Sequence, residues 1–147
     1  MENISLHRHF KVLVADDSSF IRKTISSKMI KKGVREVFEA EDGNETVELY
    51  VKHRPNLVIM DIKMPNMDGL SALSKIKKID PNAKIVVLTA NSQDWIINKA
   101  KEEGALICLN KQFRPDILSE IILGLLEMKE ERGPSLAYSN CVAENKL

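Results

Sequence analysis

Short apolar runs alternate along the chain with longer stretches in which apolar and polar positions follow a helical period. The short runs predict five strands, at residues 11–15, 36–40, 56–60, 84–89 and 106–110. The amphipathic stretches predict helices near residues 19–32, 43–53, 70–79, 93–103 and 114–130. Strands that alternate regularly with helices predict an α/β fold, with a parallel sheet and helices on both of its faces.

The polarity of the individual strands predicts where each lies in the sheet. "NLVIM" (56–60) and "KIVVLT" (84–89) contain continuous apolar runs, which are typical of central strands buried on both faces. "EVFEA" (36–40) alternates apolar and charged residues, and this pattern favours an edge strand. The turn-forming residues, such as Gly33 and Gly104, fall between the predicted elements, which supports these boundaries.

Length and charge narrow the class of protein. A chain of 147 residues can bury the core of one ordinary domain. With 22 basic and 21 acidic residues, its net charge of +1 offers no broad electrostatic attraction for nucleic acid or an anionic membrane. No segment has the length of a signal-peptide core or a membrane span, and two cysteines in unlike surroundings suit reduced thiols. We therefore expect a cytoplasmic domain that contacts neither nucleic acid nor membrane directly.

Composition divides the chain into three parts. We expect an N-terminal arm at residues 1–9 and a single folded domain at residues 10–130. Residues 131–147 follow a Gly-Pro break and show no periodicity, so they are expected to be a flexible tail, the remnant of a linker, or sequence added for expression. The sequence does not choose among these three.

Three aspartates follow predicted strands. Asp16 and Asp17 come directly after the first strand, and Asp61 directly after the third. In an open α/β sheet, ligands bind at the carboxyl ends of the strands, and neighbouring strands lie about 4.8 Å apart. If the first and third strands are neighbours, three carboxylates crowd one small site, and their mutual repulsion calls for a cation. An all-oxygen site of this kind suits Mg²⁺.

Two further strand ends carry groups that bind phosphate. Thr89 ends the fourth strand with a hydroxyl, and Lys111 follows the fifth strand with a positive charge. Together with a metal ion, these groups neutralise and hydrogen-bond the oxygens of a phosphoryl group. Asp61 is then the candidate nucleophile, since carboxylates can form aspartyl phosphates.

Four stretches between roughly residues 10 and 130 are "VLVADDSSFIRK", "LVIMDIKMPNMDGL", "VVLTA" and "GALICLNKQF". They resemble, in the same order, the motifs of response-regulator receiver domains, the chemotaxis-regulator-like fold of two-component phosphorelay systems. The resemblance implies a flavodoxin-like, doubly wound (βα)₅ fold with a five-stranded parallel sheet in the order 2-1-3-4-5.

The resemblance also implies the roles of the site residues. Asp61 is the phosphoacceptor, with Thr89 and Lys111 as its catalytic partners. The Mg²⁺ or Mn²⁺ ion is bound by Asp61 and Asp17 directly, by Asp16 through water, and by the main-chain carbonyl of Lys63. The donor is a phosphohistidine on a sensor histidine kinase or a histidine phosphotransfer protein. Such a domain is a signalling switch rather than an enzyme, limited to self-phosphorylation from small donors and self-dephosphorylation.

The chain departs from the family pattern at two positions. Gln112 stands where a proline with a cis bond is usual, so we expect either a trans peptide bond with a differently shaped loop or a strained one. Cys108 replaces the usual Tyr or Phe, and a small thiol cannot sweep the same volume when Thr89 moves. Coupling between the phosphoacceptor site and the surface is instead expected to pass through the loop carrying Asn91 and the helix near Trp95. A long side chain at Lys63 is expected to shield the phosphoryl group.

The last predicted helix carries a wide apolar stripe with two interpretations. The stripe is either that of a well-buried terminal helix, or in part a surface that also includes Trp95 and the strand of Cys108 and receives an output domain or a second copy of the chain. The resemblance favours such a face, formed by helix 4, strand 5 and helix 5. It also places the kinase on helix 1 near Phe20 and Ile21.

Less specific interpretations compete with these. Asp16 or Asp17 alternatively caps the helix that follows, and Asp68 is expected to be a helix cap or turn residue. At the level of function, a receiver-like binding module that no longer uses phosphate is an alternative. Gln112 and Cys108 support it, whereas the intact set of site residues argues against it. A third is a Mg²⁺-dependent phosphatase, although enzymes that resemble the haloacid-dehalogenase family carry D-x-D after the first strand, whereas here the aspartates are adjacent.

Overall fold

The structure is a computed structural model that describes residues 9–90, 93–112 and 114–128. In this part of the chain, five strands alternate with five helices. The strands are β1 (Lys11–Ala15), β2 (Glu36–Ala40), β3 (Leu57–Met60), β4 (Ile85–Thr89) and β5 (Ile107–Asn110). The helices are α1 (Ser19–Lys31), α2 (Gly43–His53), α3 (Gly69–Ile79), α4 (Asp94–Glu102) and α5 (Pro115–Leu126).

Every predicted strand and helix is present. Most boundaries agree within one residue, but α5 ends at Leu126 rather than near residue 130. The proposed arm and the proposed tail lie almost wholly outside the described residues. Within the described ranges, none of the helices has the length and apolar character that a bilayer crossing requires.

All five strands pair in parallel, in the order β2-β1-β3-β4-β5. This confirms both the predicted parallel sheet and the strand order that the resemblance implied. The continuously apolar β3 and β4 lie inside the sheet and are buried along their whole length. The alternating "EVFEA" forms β2 at one edge, where four of its five residues are at least partly exposed.

Helices cover both faces of the sheet, because successive side chains of a strand point to opposite sides. Val12 and Val14 of β1 pack toward α1 and α5, whereas Leu13 and Ala15 pack toward α2, α3 and α4. The same alternation places Cys108 on the side of α4. The two cores meet at the sheet, so the strand ends that carry the candidate site residues are fixed from both faces.

The buried-helix interpretation of α5 accounts for most of its apolar stripe. Its buried residues are Leu118, Ser119, Ile122, Leu123, Leu125 and Leu126. Ile117 is exposed, and so is Trp95 on α4. Cys108, in β5, is only 2% exposed and belongs to the core. The surface interpretation, which combines this strand with Trp95 and part of the α5 stripe, stays a prediction.

Candidate functional site

The three strand-end aspartates meet at the carboxyl edge of the sheet. One carboxylate oxygen from each of Asp16, Asp17 and Asp61 lies within 4.8 Å of the other two. The parallel ladders continue just past the strands, since the amide of Asp61 donates to the carbonyl of Ala15 at 2.9 Å and that of Asp16 to Ala40 at 3.0 Å. The predicted convergence of carboxylates is therefore a consequence of β1 and β3 being neighbours.

Asp16 and Asp17 do not cap α1. The cap is Ser18, whose hydroxyl accepts from the amide of Ile21 at 3.3 Å. Asp16 accepts from the amide of Ser18 at 2.9 Å through one carboxylate oxygen, which orients it within the turn. The capping interpretation was thus wrong for this pair, whereas it is confirmed for Asp68, which caps α3 by accepting from the amide of Ser71.

Lys111 brings a positive charge into the carboxylate cluster. Its ammonium nitrogen lies 2.9 Å from Oδ2 of Asp16 and 3.0 Å from Oδ2 of Asp61. The amide of Lys111 donates to the carbonyl of Thr89 at 2.9 Å, so the residue is held beside the end of β4. The peptide bond between Lys111 and Gln112 is trans, and the lysine side chain still reaches both carboxylates. Of the two alternatives for this loop, the trans one is observed.

Burial and charge set the titration of the cluster. Burial raises the pKa of Asp61, and the nearby charge of Asp16 raises it further, although the hydrogen bond and charge of Lys111 work in the opposite direction. Burial alone lowers the pKa of Lys111, but its hydrogen bonds to Asp16 and Asp61 outweigh this effect and leave the pKa raised. The lysine is therefore protonated at neutral pH, and the aspartate carboxylate is held in an environment that favours neutralisation.

A cavity of about 720 Å³ opens beside the cluster. Its walls are Asp17, Asp61, Ile62, Lys63, Thr89, Ala90, Gln93, Ile96 and Lys111. Asp61 is only 5% exposed, so its carboxylate reaches solvent through this cavity rather than across an open surface. The structure thus brings together every candidate site residue that the sequence indicated, with Asp16 behind the cavity wall. Asn91 lies outside the described residues.

The loop between β3 and α3 carries Lys63 and is held by close backbone contacts. A Cβ on Gly69 would lie 2.2 Å from the carbonyl oxygen of Asp61, so this approach requires a glycine. Two residues before Gly69, the carbonyl of Met67 accepts a hydrogen bond from the amide of Gly43 at 2.9 Å. Asn66, at φ 68°, donates its side-chain amide to Asp42 at 2.7 Å. These contacts fix the path of the loop that brings Lys63 to the cavity.

The donor set fits a hard divalent cation. Three carboxylates within reach of one point offer only oxygen, the ligand type that Mg²⁺ and Mn²⁺ prefer. One exposed member, Asp17, leaves a side from which water can complete the coordination. Lys63, whose carbonyl the resemblance adds to the set, lines the same cavity. The residues present therefore suit magnesium or manganese.

Sequence reasoning missed two groups of residues near the site. Gln93 and Ile96, at the start of α4, form part of the cavity wall. Arg22 is buried, and its guanidinium donates to the carbonyl of Asp16 at 2.8 Å and to Glu39 at 3.2 Å. A helix that begins just after the end of a central strand is a signal that could have pointed to Gln93. The Arg22 contacts depend on how α1 and β2 pack, and no local pattern reveals them.

Comparisons with known proteins agree with this geometry. The family model described as the response regulator receiver domain matches residues 12–123. The chemotaxis protein CheY of Bacillus subtilis (strain 168) is 41% identical over 112 residues, covering 76% of this chain and 93% of that protein. Sporulation initiation phosphotransferase F of the same strain is 34% identical over 119 residues, covering 81% and 95%.

Comparison with solved structures also matches the chain to a receiver fold. In the CheX-CheY-BeF3-Mg²⁺ complex from Borrelia burgdorferi, the matched chain has a TM-score of 0.76 and 28% identity, covering 81% of this chain and 90% of that one. The fold and the acidic site define a signalling domain of the receiver class. The chain belongs to the response regulator receiver domain family of two-component systems.

Proposed function

We propose that Asp61 accepts a phosphoryl group from a phosphohistidine, and that Lys111 and Thr89 bind the transferred group. The observation that supports this most strongly is the position of Asp61, whose nearly buried carboxylate faces a cavity, 3.0 Å from the lysine ammonium. A carboxylate kept out of bulk water is less stabilised by solvation, which favours its use as a nucleophile. The cavity also leaves room for the phosphoryl group.

In the proposed transfer, an oxygen of Asp61 forms a bond to phosphorus while the phosphorus–nitrogen bond of the donor breaks. The electron pair of that bond returns to the imidazole nitrogen, which takes a proton from water. Lys111 moves from pairing with the free carboxylate to contacting phosphoryl oxygens, and the Thr89 hydroxyl donates a hydrogen bond to them. Asp16, Asp17, Asp61 and the Lys63 carbonyl would hold a Mg²⁺ or Mn²⁺ ion, which would supply the remaining positive charge.

The proposed donor of the phosphoryl group is a sensor histidine kinase or a histidine phosphotransfer protein. The output surface is proposed to be the α4–β5–α5 face, which receives a partner, an output domain or a second copy. Exposed Trp95 and Ile117 on this face support that assignment, as aromatic and aliphatic side chains form the centres of protein interfaces. The domain is proposed to act in the cytoplasm as a switch, without turnover of outside substrates.

Incubation with acetyl phosphate and Mg²⁺, followed by intact mass spectrometry, tests the proposal. We expect one labile phosphoryl group in the native chain and none in Asp61→Asn or in the presence of EDTA. Asp68→Asn is the matched control, because Asp68 caps α3 and does not line the cavity. An unlabelled native chain contradicts the proposal and favours a binding module that no longer uses phosphate. Sustained hydrolysis of a generic phosphate ester instead supports a phosphatase.

A further inference from the structure

Gln93 occupies an unusual position at the start of α4. It is the N-cap residue of the helix, yet its side chain makes no capping hydrogen bond. It lines the phosphoacceptor cavity together with Thr89 and Lys111. Its amide oxygen accepts a 2.7 Å hydrogen bond from the indole nitrogen of Trp95, two residues further along. Gln93 therefore contacts both the cavity and an aromatic residue that is 64% exposed.

The chemistry of the indole fixes the orientation of the amide. An indole N–H can only donate, so it pairs with the oxygen of the Gln93 side chain and not with its nitrogen. The NH₂ group is then the donor end of the amide. A phosphoryl group carries oxygens that only accept hydrogen bonds, and the cavity that Gln93 lines is where that group is proposed to form.

We propose that Gln93 donates a hydrogen bond from its side-chain amide to the phosphoryl group on Asp61, and that Trp95 is a positioning residue that holds the amide in this orientation. This inference rests on the proposed function of Asp61. It adds one residue to the phosphoryl-binding set of Lys111 and Thr89. The sequence motifs do not indicate it, since neither Gln93 nor Trp95 belongs to them.

The arrangement also links the cavity to the surface of α4. Because Trp95 bonds to a group that binds the phosphoryl oxygens, occupation of the cavity alters the surroundings of an exposed indole. The small, buried thiol of Cys108 offers no aromatic side chain at the neighbouring position of β5. Trp95 is the single tryptophan of the chain, so its fluorescence reports this change without interference.

The test compares Gln93→Ala, Gln93→Glu and Trp95→Phe with the native chain. Beryllofluoride with Mg²⁺ serves as the probe of the phosphoryl site, and its binding is measured by fluorine NMR titration. Asn98→Ala is the matched control, because it removes an exposed side-chain amide from the same helix away from the cavity. Far-UV circular dichroism verifies that each variant is folded, and intact mass after acetyl phosphate treatment measures labelling of Asp61.

We expect Gln93→Ala to bind beryllofluoride about tenfold more weakly, as for one hydrogen bond to a charged oxygen. Gln93→Glu should bind it more weakly still, because a carboxylate can accept from Trp95 but repels the anion. Trp95→Phe should lose about threefold in the native background and nothing further in the Gln93→Ala background, since it acts through the amide. Tryptophan emission should change on binding in the native chain and not in Gln93→Ala.

Equal beryllofluoride affinity in the native chain and Gln93→Ala overturns the proposal, as does a Trp95→Phe effect of the same size in both backgrounds. Either of these outcomes can be distinguished from a failure of the proposed phosphorylation of Asp61. If the native chain takes neither phosphoryl nor beryllofluoride, both proposals fail. If Asp61 is labelled normally and the Gln93 variants match the native chain, the role of Gln93 alone is wrong.

Discussion

Lys111 is the cation that compensates the buried carboxylates in the described structure, and its removal should expose their electrostatic cost. Its ammonium lies within 3.0 Å of both Asp16 and Asp61, whose side chains are 3% and 6% exposed. The substitution Lys111→Met keeps most of the aliphatic volume and removes only the charge. We expect this variant to be less stable than the native chain at pH 7 in a buffer free of divalent cations.

The size of the effect has an upper limit. Once unpaired, Asp61 can take up one proton, and at pH 7 protonation of an aspartate with an ordinary pKa costs about 4 kcal/mol. Removing one partner of a buried ion pair typically costs about 3–5 kcal/mol. Because the lysine side chain is 17% exposed, solvent already screens part of this interaction. We therefore expect a loss of about 3 kcal/mol in the free energy of unfolding.

The loss should depend on pH and on metal in known directions. In the variant, the folded state holds the extra proton, so its carboxyl pKa exceeds the unfolded value. Relative to the native chain, the variant therefore recovers stability as the pH falls from 7 toward 4, where the unfolded carboxylates also become protonated. Mg²⁺ should also reduce the difference, because in the variant the ion displaces a proton and does not have to compete with the fixed ammonium of Lys111, so the variant gains more stability from binding it.

Urea unfolding followed by far-UV circular dichroism measures these differences. Lys99→Met is the matched control, since Lys99 forms one exposed pair with Glu103 at 3.4 Å and should lose about 0.5 kcal/mol or less. A Lys111→Met deficit no larger than that of the control refutes the reasoning. A large deficit that is the same at pH 4 as at pH 7, and the same with Mg²⁺ as without it, attributes the loss to packing rather than to charge.

Three further predictions concern other parts of the domain. Lys63→Ala should shorten the lifetime of the phosphate on Asp61 by about threefold, because the long side chain shields the group from water; identical decay of labelled protein in the two chains refutes that role. Burial raises the pKa of Cys108 to about 11 from an ordinary 9.0. The Cys108 thiol therefore ionises first in the unfolded state as the pH rises from 9 to 11. Relative to Cys108→Ala, the native chain should lose about 2–3 kcal/mol in the free energy of unfolding over this range, as measured by urea unfolding. Parallel pH profiles for the two chains argue against this effect of burial. Finally, Gly43→Ala should cost about 1–3 kcal/mol of stability, because its Cβ would lie 2.2 Å from the carbonyl oxygen of Met67. A Cβ on Gly124 would meet nothing within 4 Å, so Gly124→Ala should stabilise α5 by up to about 1 kcal/mol. Equal changes in melting temperature for the two variants contradict this account.

The positions of the strands and helices could be predicted because each depends on local pattern. Continuous apolar runs identify β3 and β4 as central strands, and the alternation of "EVFEA" identifies β2 as an edge strand. The helix cap at Asp68 likewise follows from residues adjacent in sequence. Once the strands are parallel, their carboxyl ends share one edge, so the meeting of Asp16, Asp17 and Asp61 follows from the order of the strands.

The side of the sheet that a residue faces was not available from the sequence. Cys108 and Leu109 are both apolar and adjacent in β5, yet they belong to opposite cores. The orientation of a side chain in an edge strand depends on which helix covers that face, and this is a property of the packed domain.

The sequence by itself determined the order of elements, the parallel sheet and the set of acidic, hydroxyl and cationic groups at one edge, because these depend on periodicity and on strand ends. Only the tertiary structure decided that Lys111 pairs with both Asp16 and Asp61, and that the amide of Gln93 is bound by Trp95. Such contacts depend on ångström-scale distances between side chains from elements far apart in sequence, or on the rotamers that the packed domain allows. Hydrophobic periodicity carries no information about either.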